Sequence, residues 1–313
     1  MLGRRDNLYK ARIKILVQQT GVEAFTRLVE EEWQQIKDSG LDLPIEERKR
    51  IEAYFAPPLY PEAEPAPGSL AQARQTDPAF ARWLEASLAE HRVPGYGIVT
   101  ISLKPIGGAP GDATDEQMEA VADLAERYSL GEIRVSHEQN LVLPDVRLSD
   151  LHALWRGLVE AELATANVGL VSDIIACPGL DYCNLANARS IPVAQRIGER
   201  FADLDRQHEI GPLRIKISGC INACGHHHVG DIGILGVERR GEEYYQITLG
   251  GRPDEQAAIG SIIGPSFSYD EVPDAVGEIV ETYLAIRQNG ETFAEAYKRV
   301  GLDPFKEKLY AAH

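Results

Sequence analysis

Four cysteines, Cys177, Cys183, Cys220 and Cys224, are the only ones in a chain of 313 residues, and they arrive as two close pairs. The first pair is Cys177-Pro-Gly-Leu-Asp-Tyr-Cys183 and the second is Cys220-Ile-Asn-Ala-Cys224. Pro178 and Gly179 impose a loop on the first pair, so two thiols can converge from irregular backbone. The second pair stands at i and i+4, and if helical its sulfurs share one face, a turn apart. Gly219 before it and Gly225 after it let the backbone approach a bulky inorganic object and turn away. Four thiolates match the ligand set of one cubane iron–sulfur cluster. Zinc also takes four cysteines, although its usual knuckles place two to four residues between ligands. Two disulfides or plain buried thiols complete the alternatives.

Composition narrows the context. The chain is 44% hydrophobic and 26% charged, with a formal net charge of −16. Such an acidic protein is poorly suited to nonspecific contact with nucleic acid or an anionic membrane. No apolar run is long enough to cross a bilayer, and the basic start, Met1 to Lys14, lacks the apolar stretch and small-residue site of an export signal, so a cytoplasmic location is expected. In that compartment, clustered cysteines point to a metal rather than to disulfides.

The elements that must position the thiols follow from periodicity. Asn7 to Gln19 and Val22 to Ile36 read as helices separated by Gly21. Ala56 to Gly68, with Pro57, Pro58, Pro61, Pro65 and Pro67, reads as a linker, followed by a short helix from Asp77 to Glu90. The alternating, β-branched run Gly97 to Lys104 predicts a strand and Thr114 to Tyr128 a helix. Glu132 to Ser136 and Asn140 to Leu143 predict short strands, and Asp150 to Leu163 a helix with Ser149 as its cap. This order suggests a small α+β sandwich on an antiparallel sheet. Beyond it, Asn184 to Leu204 predicts a helix and Pro212 to Ser218 a strand. A hairpin is expected for Asp231 to Glu238 with Glu243 to Leu249, turning at Arg240-Gly241, and helices for Asp270 to Asn289 and Glu291 to Arg299. Gly230 to Gly236 lacks the spacing of a phosphate-binding loop, and no flavin or nicotinamide fingerprint is present.

The segments Cys177-Pro-Gly-Leu-Asp-Tyr-Cys183 and Lys216-Ile-Ser-Gly-Cys220-Ile-Asn-Ala-Cys224-Gly225 closely resemble the signature of siroheme-dependent sulfite and nitrite reductases. That resemblance implies a [4Fe-4S] cluster held by all four cysteines, with Cys224 also the bridging axial ligand of the siroheme iron. It implies an α+β fold in which a ferredoxin-like half-domain, 95–165, precedes a mixed α/β siroheme and cluster domain, 166–313. Residues 1–40 resemble the helical end of the family's first repeat, and 41–94 form a Pro-rich linker with a short helix. The corner Arg134-Val-Ser-His-Glu-Gln139-Asn140 resembles the family's siroheme-facing corner, with Ser136 in the place of a threonine. By the same resemblance Arg12, Lys14, Arg134, Gln139 and Asn140 are candidate cofactor contacts.

Position relative to the motif adds Arg189, Asn222 and His226, with His227 as an alternative to His226. Each has a plainer reading. Arg189 can be a helix-surface arginine, the histidines a solvated loop, and Lys10, Arg12 and Lys14 a charged helix face.

The implied activity is six-electron reduction of sulfite to sulfide. Ferredoxin-dependent reduction of nitrite to ammonia and a non-catalytic iron–sulfur electron-transfer subunit are the alternatives. The donor would be ferredoxin or a flavoprotein. Substrate-gripping Arg and Lys residues come mostly from the first half in this family, and none of that pattern precedes the cysteines here. The expectation is therefore a C-terminal half that needs an N-terminal half or partner subunit, with its catalytic residues unknown.

Overall fold

The computed structural model describes residues 12–65 and 67–310, and the chain divides into two units, Met1–Tyr60 and Pro61–His313. The first unit carries α1 (Ile13–Thr20), α2 (Val22–Ile36) and α3 (Ile45–Tyr54). Gly21 separates α1 from α2 at a φ of 80°, where a side chain would be strained, and its N–H closes α1 on the Val17 carbonyl. The start of the expected Asn7 helix, with Lys10, lies outside the described residues.

The stretch 41–94 holds more helix than the single short one expected: α3, then α4 (Gly68–Thr76) and α5 (Pro78–Ser87). Proline explains the pattern. Pro44 and Pro67 stand immediately before α3 and α4, and Pro78 opens α5, positions where a missing N–H costs nothing. Asp77 caps α5 by accepting the N–H groups of Ala79 and Phe80, both at 3.1 Å. Residues 57–65, where the other prolines lie, form no regular element.

The sandwich expected from about residue 97 is present. Its strands are β1 (Leu88–Glu90), β2 (Tyr96–Ile101), β3 (Arg134–Val135) and β4 (Leu141–Arg147), in the antiparallel order β1-β2-β4-β3. Helices α6 (Asp115–Tyr128) and α7 (Leu151–Glu160) cover it. Val99, Ile101, Leu143 and Val146 from the sheet meet Phe80, Trp83, Val121, Leu154 and Leu158 in one buried core. Two local expectations fail. Leu88–Glu90 leaves the helical run because it pairs with Gly97–Val99, so tertiary hydrogen bonding overrides helical periodicity. Ser149 does not cap α7: its hydroxyl bonds Asp150 within a short 3-10 turn, Leu148–Asp150, that leads into the helix.

The remainder is built on six strands, β5 (Ile175–Ala176), β6 (Ile215–Ser218), β7 (Ile232–Arg239), β8 (Glu242–Leu249), β9 (Ser261–Ile262) and β10 (Phe267–Ser268). The order is β10-β8-β7-β6-β5, with β9 also on β8; β5, β6 and β7 run parallel. The β7–β8 hairpin turns at Arg240-Gly241, both at positive φ, as the sequence predicts.

Helices α8 (Ile191–Arg200), α9 (Leu204–Ile210), α10 (Val272–Ile286), α11 (Phe293–Val300) and α12 (Asp303–Tyr310) complete the chain. Ile215, Ile217, Ile232, Ile234 and Ile247 form a core with Val193, Ile197, Val276 and Ile279. The single helix expected over 184–204 is instead α8, with 184–190 irregular and α9 restarting where Asp203 caps it. Pro192 opens α8, and the residues before it are held by another loop, described below.

The capping box of α6 offers a test of this reading. Thr114 accepts the Gln117 N–H, and the Gln117 side chain returns to the Thr114 N–H. Thr114→Ala is expected to lower stability by about 1 kcal/mol, read as a lower urea midpoint at unchanged slope.

Candidate metal and cofactor centre

Two parallel strands deliver both cysteine pairs to one edge. In the β5–β6 pairing Ile175 lies opposite Lys216 and Ala176 opposite Ile217, and the Cys177 N–H extends it to the Ile217 carbonyl at 3.1 Å. Cys177 therefore leaves β5 where Gly219 and Cys220 leave β6, at the carboxyl ends of adjacent strands, the usual ligand position in such sheets. The loops then lock together. The Gly219 carbonyl accepts the N–H groups of Asn187 (2.8 Å) and Ala188 (3.0 Å), and Leu180 donates to the Ala188 carbonyl at 3.2 Å. Glycine is obligatory at this junction. A Cβ on Gly179 would lie 2.5 Å from the Ser190 nitrogen, one on Gly219 2.6 Å from the Ala188 oxygen, and one on Gly225 1.9 Å from the Ile217 oxygen.

The second pair is not helical. Ala223 and His226 adopt left-handed φ values of 58° and 53°, and two successive turns are closed by Ala223 N–H to Cys220 O and His226 N–H to Ala223 O. The i, i+4 spacing therefore does not align Cys220 and Cys224 along a helix face. All four cysteines are free: Cys220 is buried, Cys177 and Cys183 half-buried, Cys224 exposed. The Cys177 sulfur accepts the Gly219 N–H at 3.1 Å and lies 3.3 Å from the Ser190 hydroxyl. Among the described residues no three His, Cys, Asp or Glu side chains are gathered into one coordination sphere. The donor chemistry, four free thiols on interlocked glycine loops with an N–H already directed at one sulfur, fits a thiolate-bound iron–sulfur cluster.

The other candidates divide sharply. Asn222 and His226 are exposed on the second cysteine loop itself. Arg134 is exposed on β3 and paired with Glu132 at 2.6 Å. Arg189 is not a free cation: Glu243 takes both its Nε (2.9 Å) and its backbone N–H (2.7 Å), and its guanidinium stacks 5.0 Å from the Tyr269 ring. Asn140 is buried, its amide engaged by Leu103, Lys104 and Asp173, so it presents nothing to a cofactor. Both ends of the Gln139 amide bind the Ala176 backbone. Arg12 and Lys14 are exposed in the first unit.

Two buried lysines escaped the sequence reading, and the structure decides between the two histidines it offered. Lys104 and Asp173 form a buried ion pair at 2.7 Å, each side chain no more than 5% exposed. Burial pushes the Lys104 ammonium below its ordinary pKa, against the opposing pull of Asp173. Lys216 is buried in β6, its pKa likewise lowered by burial; a lysine between Ile215 and Ile217 in a parallel strand was the available signal. His227, rather than His226, is the buried histidine of the run. It sits in a 3-10 turn, His227–Val229, against β6 and β7, with an unpartnered Nδ1, and its ring is 3.9 Å from that of His228. Burial, then the neighbouring His228, lowers its pKa to about 4.

The family model described as "Nitrite and sulphite reductase 4Fe-4S domain" matches residues 169–313. The "Nitrite/Sulfite reductase ferredoxin-like half domain" matches residues 93–161. Similar curated proteins include a sulfite reductase [ferredoxin] 2 of Mycolicibacterium paratuberculosis, 26% identical over 97% of this chain and 50% of its own length. A ferredoxin–nitrite reductase of Synechococcus elongatus is 27% identical over 89% of this chain and 47% of its own. The solved structure of the Mycobacterium tuberculosis NirA protein superposes with a TM-score of 0.61 at 25% identity, over 96% of this chain and 50% of that one. The chain spans about half the length of the curated relatives it matches.

Two outcomes test the geometry. Gly225→Ala drives a methyl group into the Ile217 carbonyl and is expected to cost about 3 kcal/mol or more, whereas Gly68→Ala, with nothing within 4 Å, stays near neutral in the same denaturation assay. His227 is neutral when folded and takes up a proton on unfolding below its ordinary value. Its contribution is thus complete above pH 6.5 and is lost as pH falls toward about 4. His227→Gln should flatten the stability-versus-pH curve within that window.

Proposed function

We propose that this chain, which belongs to the nitrite and sulfite reductase family, supplies the siroheme and [4Fe-4S] half of an assimilatory sulfite reductase that converts sulfite to sulfide. The observation that carries this reading is the junction at the ends of β5 and β6, where two glycine-locked loops present four free cysteines. Cys177, Cys183, Cys220 and Cys224 would hold the cluster. The exposed Cys224 suits a thiolate shared with a second iron centre. When bound, the coupled cluster and siroheme supply single electrons, six per sulfite, at one centre.

The chain's own groups would tune that site. The Gly219 N–H bonded to the Cys177 sulfur withdraws electron density from a ligand, which favours the reduced state. His227, buried and neutral, adds no fixed positive charge beside the second loop. Asn222 and His226, exposed on the second cysteine loop, would be the polar side chains that meet a cofactor edge. Sulfite carries negative charge, and its Arg and Lys ligands would come from an N-terminal half or partner subunit. The donor would be ferredoxin or a flavoprotein. With a net charge of −16 on this chain, an acidic ferredoxin would dock elsewhere in the assembly. Among the described residues no helix is long and apolar enough to cross a membrane, and free thiols suit the proposed cytoplasmic location.

Nitrite is the second reading, favoured by relatives named as nitrite reductases at the same level of identity. An anaerobic absorption spectrum with iron and acid-labile sulfide counts tests the assignment. Tetrapyrrole bands with about five irons per chain are expected, and Cys220→Ser should abolish the cluster absorption. A colourless protein containing one zinc would overturn the reading. Rates with sulfite and nitrite, measured on the protein assembled with its other half, then separate the two substrates.

A further inference from the structure

We propose that the corner 136–140 is a latch that positions Cys177, with Gln139 acting as a surrogate strand on the open edge of β5; the role given to Cys177 rests on the cluster reading above. Strand β5 is two residues long and ends the sheet, so among the described residues β6 is its only strand partner. The Cys177 N–H points toward β6, bonding Ile217. The N–H and carbonyl of Ala176, one residue earlier, face the other way, as alternation along a strand requires. On that open side Gln139 replaces the missing neighbour: its Oε1 accepts the Ala176 N–H at 3.0 Å and its Nε2 donates to the Ala176 carbonyl at 2.9 Å. One primary amide reproduces both hydrogen bonds of a strand partner, leaving neither peptide group of Ala176 unpaired.

The corner is built to hold that amide still. Gln139 adopts a left-handed φ of 57°, fixed by its N–H on the Ser136 carbonyl at 3.2 Å. The Ser136 hydroxyl accepts from Glu138 and Asn140, and Gly111 leaves room beside Gln139, where a Cβ would lie 3.0 Å from the Gln139 Cβ. A second tether lies just upstream. Asp173 takes Lys104 at 2.7 Å, Asn140 at 3.1 Å and the Gly169 N–H at 2.8 Å. The half-domain thus grips the segment entering Cys177 at Asp173 and again at Ala176. Ligand placement within a fraction of an ångström requires such support from residues that never touch the metal. The resemblance had implied cofactor contact for Gln139 and Asn140. Their amides are instead committed to the protein, and they are positioning residues.

The test uses the full chain, first without metal. Gln139→Gly keeps the left-handed backbone and removes the amide; Gln139→Met fills the same space with neither donor nor acceptor. In both, Ala176 amide hydrogen exchange should accelerate about tenfold, as expected for loss of a local tether. Alkylation of Cys177 should accelerate relative to Cys224, while exchange in β7 and β8 stays as in wild type. After anaerobic reconstitution, iron retained under a chelator challenge should fall at least severalfold. Unchanged Ala176 exchange in both variants overturns the latch. So does faster exchange with wild-type Cys177 alkylation. Wild-type protein that takes up no iron would sink the reductase reading alone, because exchange and alkylation judge the latch without metal.

Discussion

A single carbonyl, that of Gly219, receives the N–H groups of both Asn187 and Ala188, and the cysteine site depends on this three-way junction. It ties the loop after Cys177 to the loop before Cys220, so neither pair of thiols can be placed without the other. The contact is possible only because Gly179 and Gly219 bring backbone to backbone with no intervening side chain. It also explains why helix α8 begins at Ile191: residues that periodicity would have made helical give their N–H groups to the neighbouring loop instead. The local choice serves the site rather than the element.

Around that junction the fold distributes support unequally. On one side, β6 and β7 are backed by a continuous apolar core under α8 and α10. On the other, the outermost strand is only two residues long and is held by polar side chains of the half-domain. A buried ion pair such as Lys104–Asp173 is a weak source of net stability, but breaking one member leaves an uncompensated charge, on the order of 3–5 kcal/mol. Its value lies in specificity: Lys104 bonds Asp173 and the Asn140 amide, which in turn bonds Asp173, so one relative placement of corner and strand satisfies every group. Buried Lys216, one strand inward on β6, lies near enough to feel the charges of Glu138, Lys104 and Asp173.

The family assignment and the half-length match bear on how such a site would work. Among the described residues, three cations of the half-domain and the cysteine region are committed to carboxylates. Arg189 is occupied by Glu243, Arg134 by Glu132, and Lys104 by Asp173. The curated relatives that the chain matches are about twice as long as it is.

Cysteine count, spacing and flanking glycines marked out a thiol-rich site, because ligand type and backbone permissiveness are local properties of the chain, but they left an iron–sulfur cluster and zinc as alternatives; the resemblance of the flanking segments supplied the family, which the family models match. Periodicity likewise placed α6 and α10, which satisfy their hydrogen bonds within themselves, the β7–β8 hairpin, which pairs across its own turn, and β2, whose alternation is local even though its partner β4 is distant. What only the tertiary structure decided were the features that depend on a distant partner. Leu88–Glu90 became a strand because Gly97–Val99 was there to pair with it, and 184–190 left the helix for Gly219. Cys220 and Cys224 turned through Ala223 instead of following a helix. Gln139 and Asn140, polar residues whose sequence suggested a cofactor, face Ala176 and the Lys104–Asp173 pair. Spacing carries no information about which long-range hydrogen bond will capture a side-chain amide, and here that capture commits Gln139 to β5.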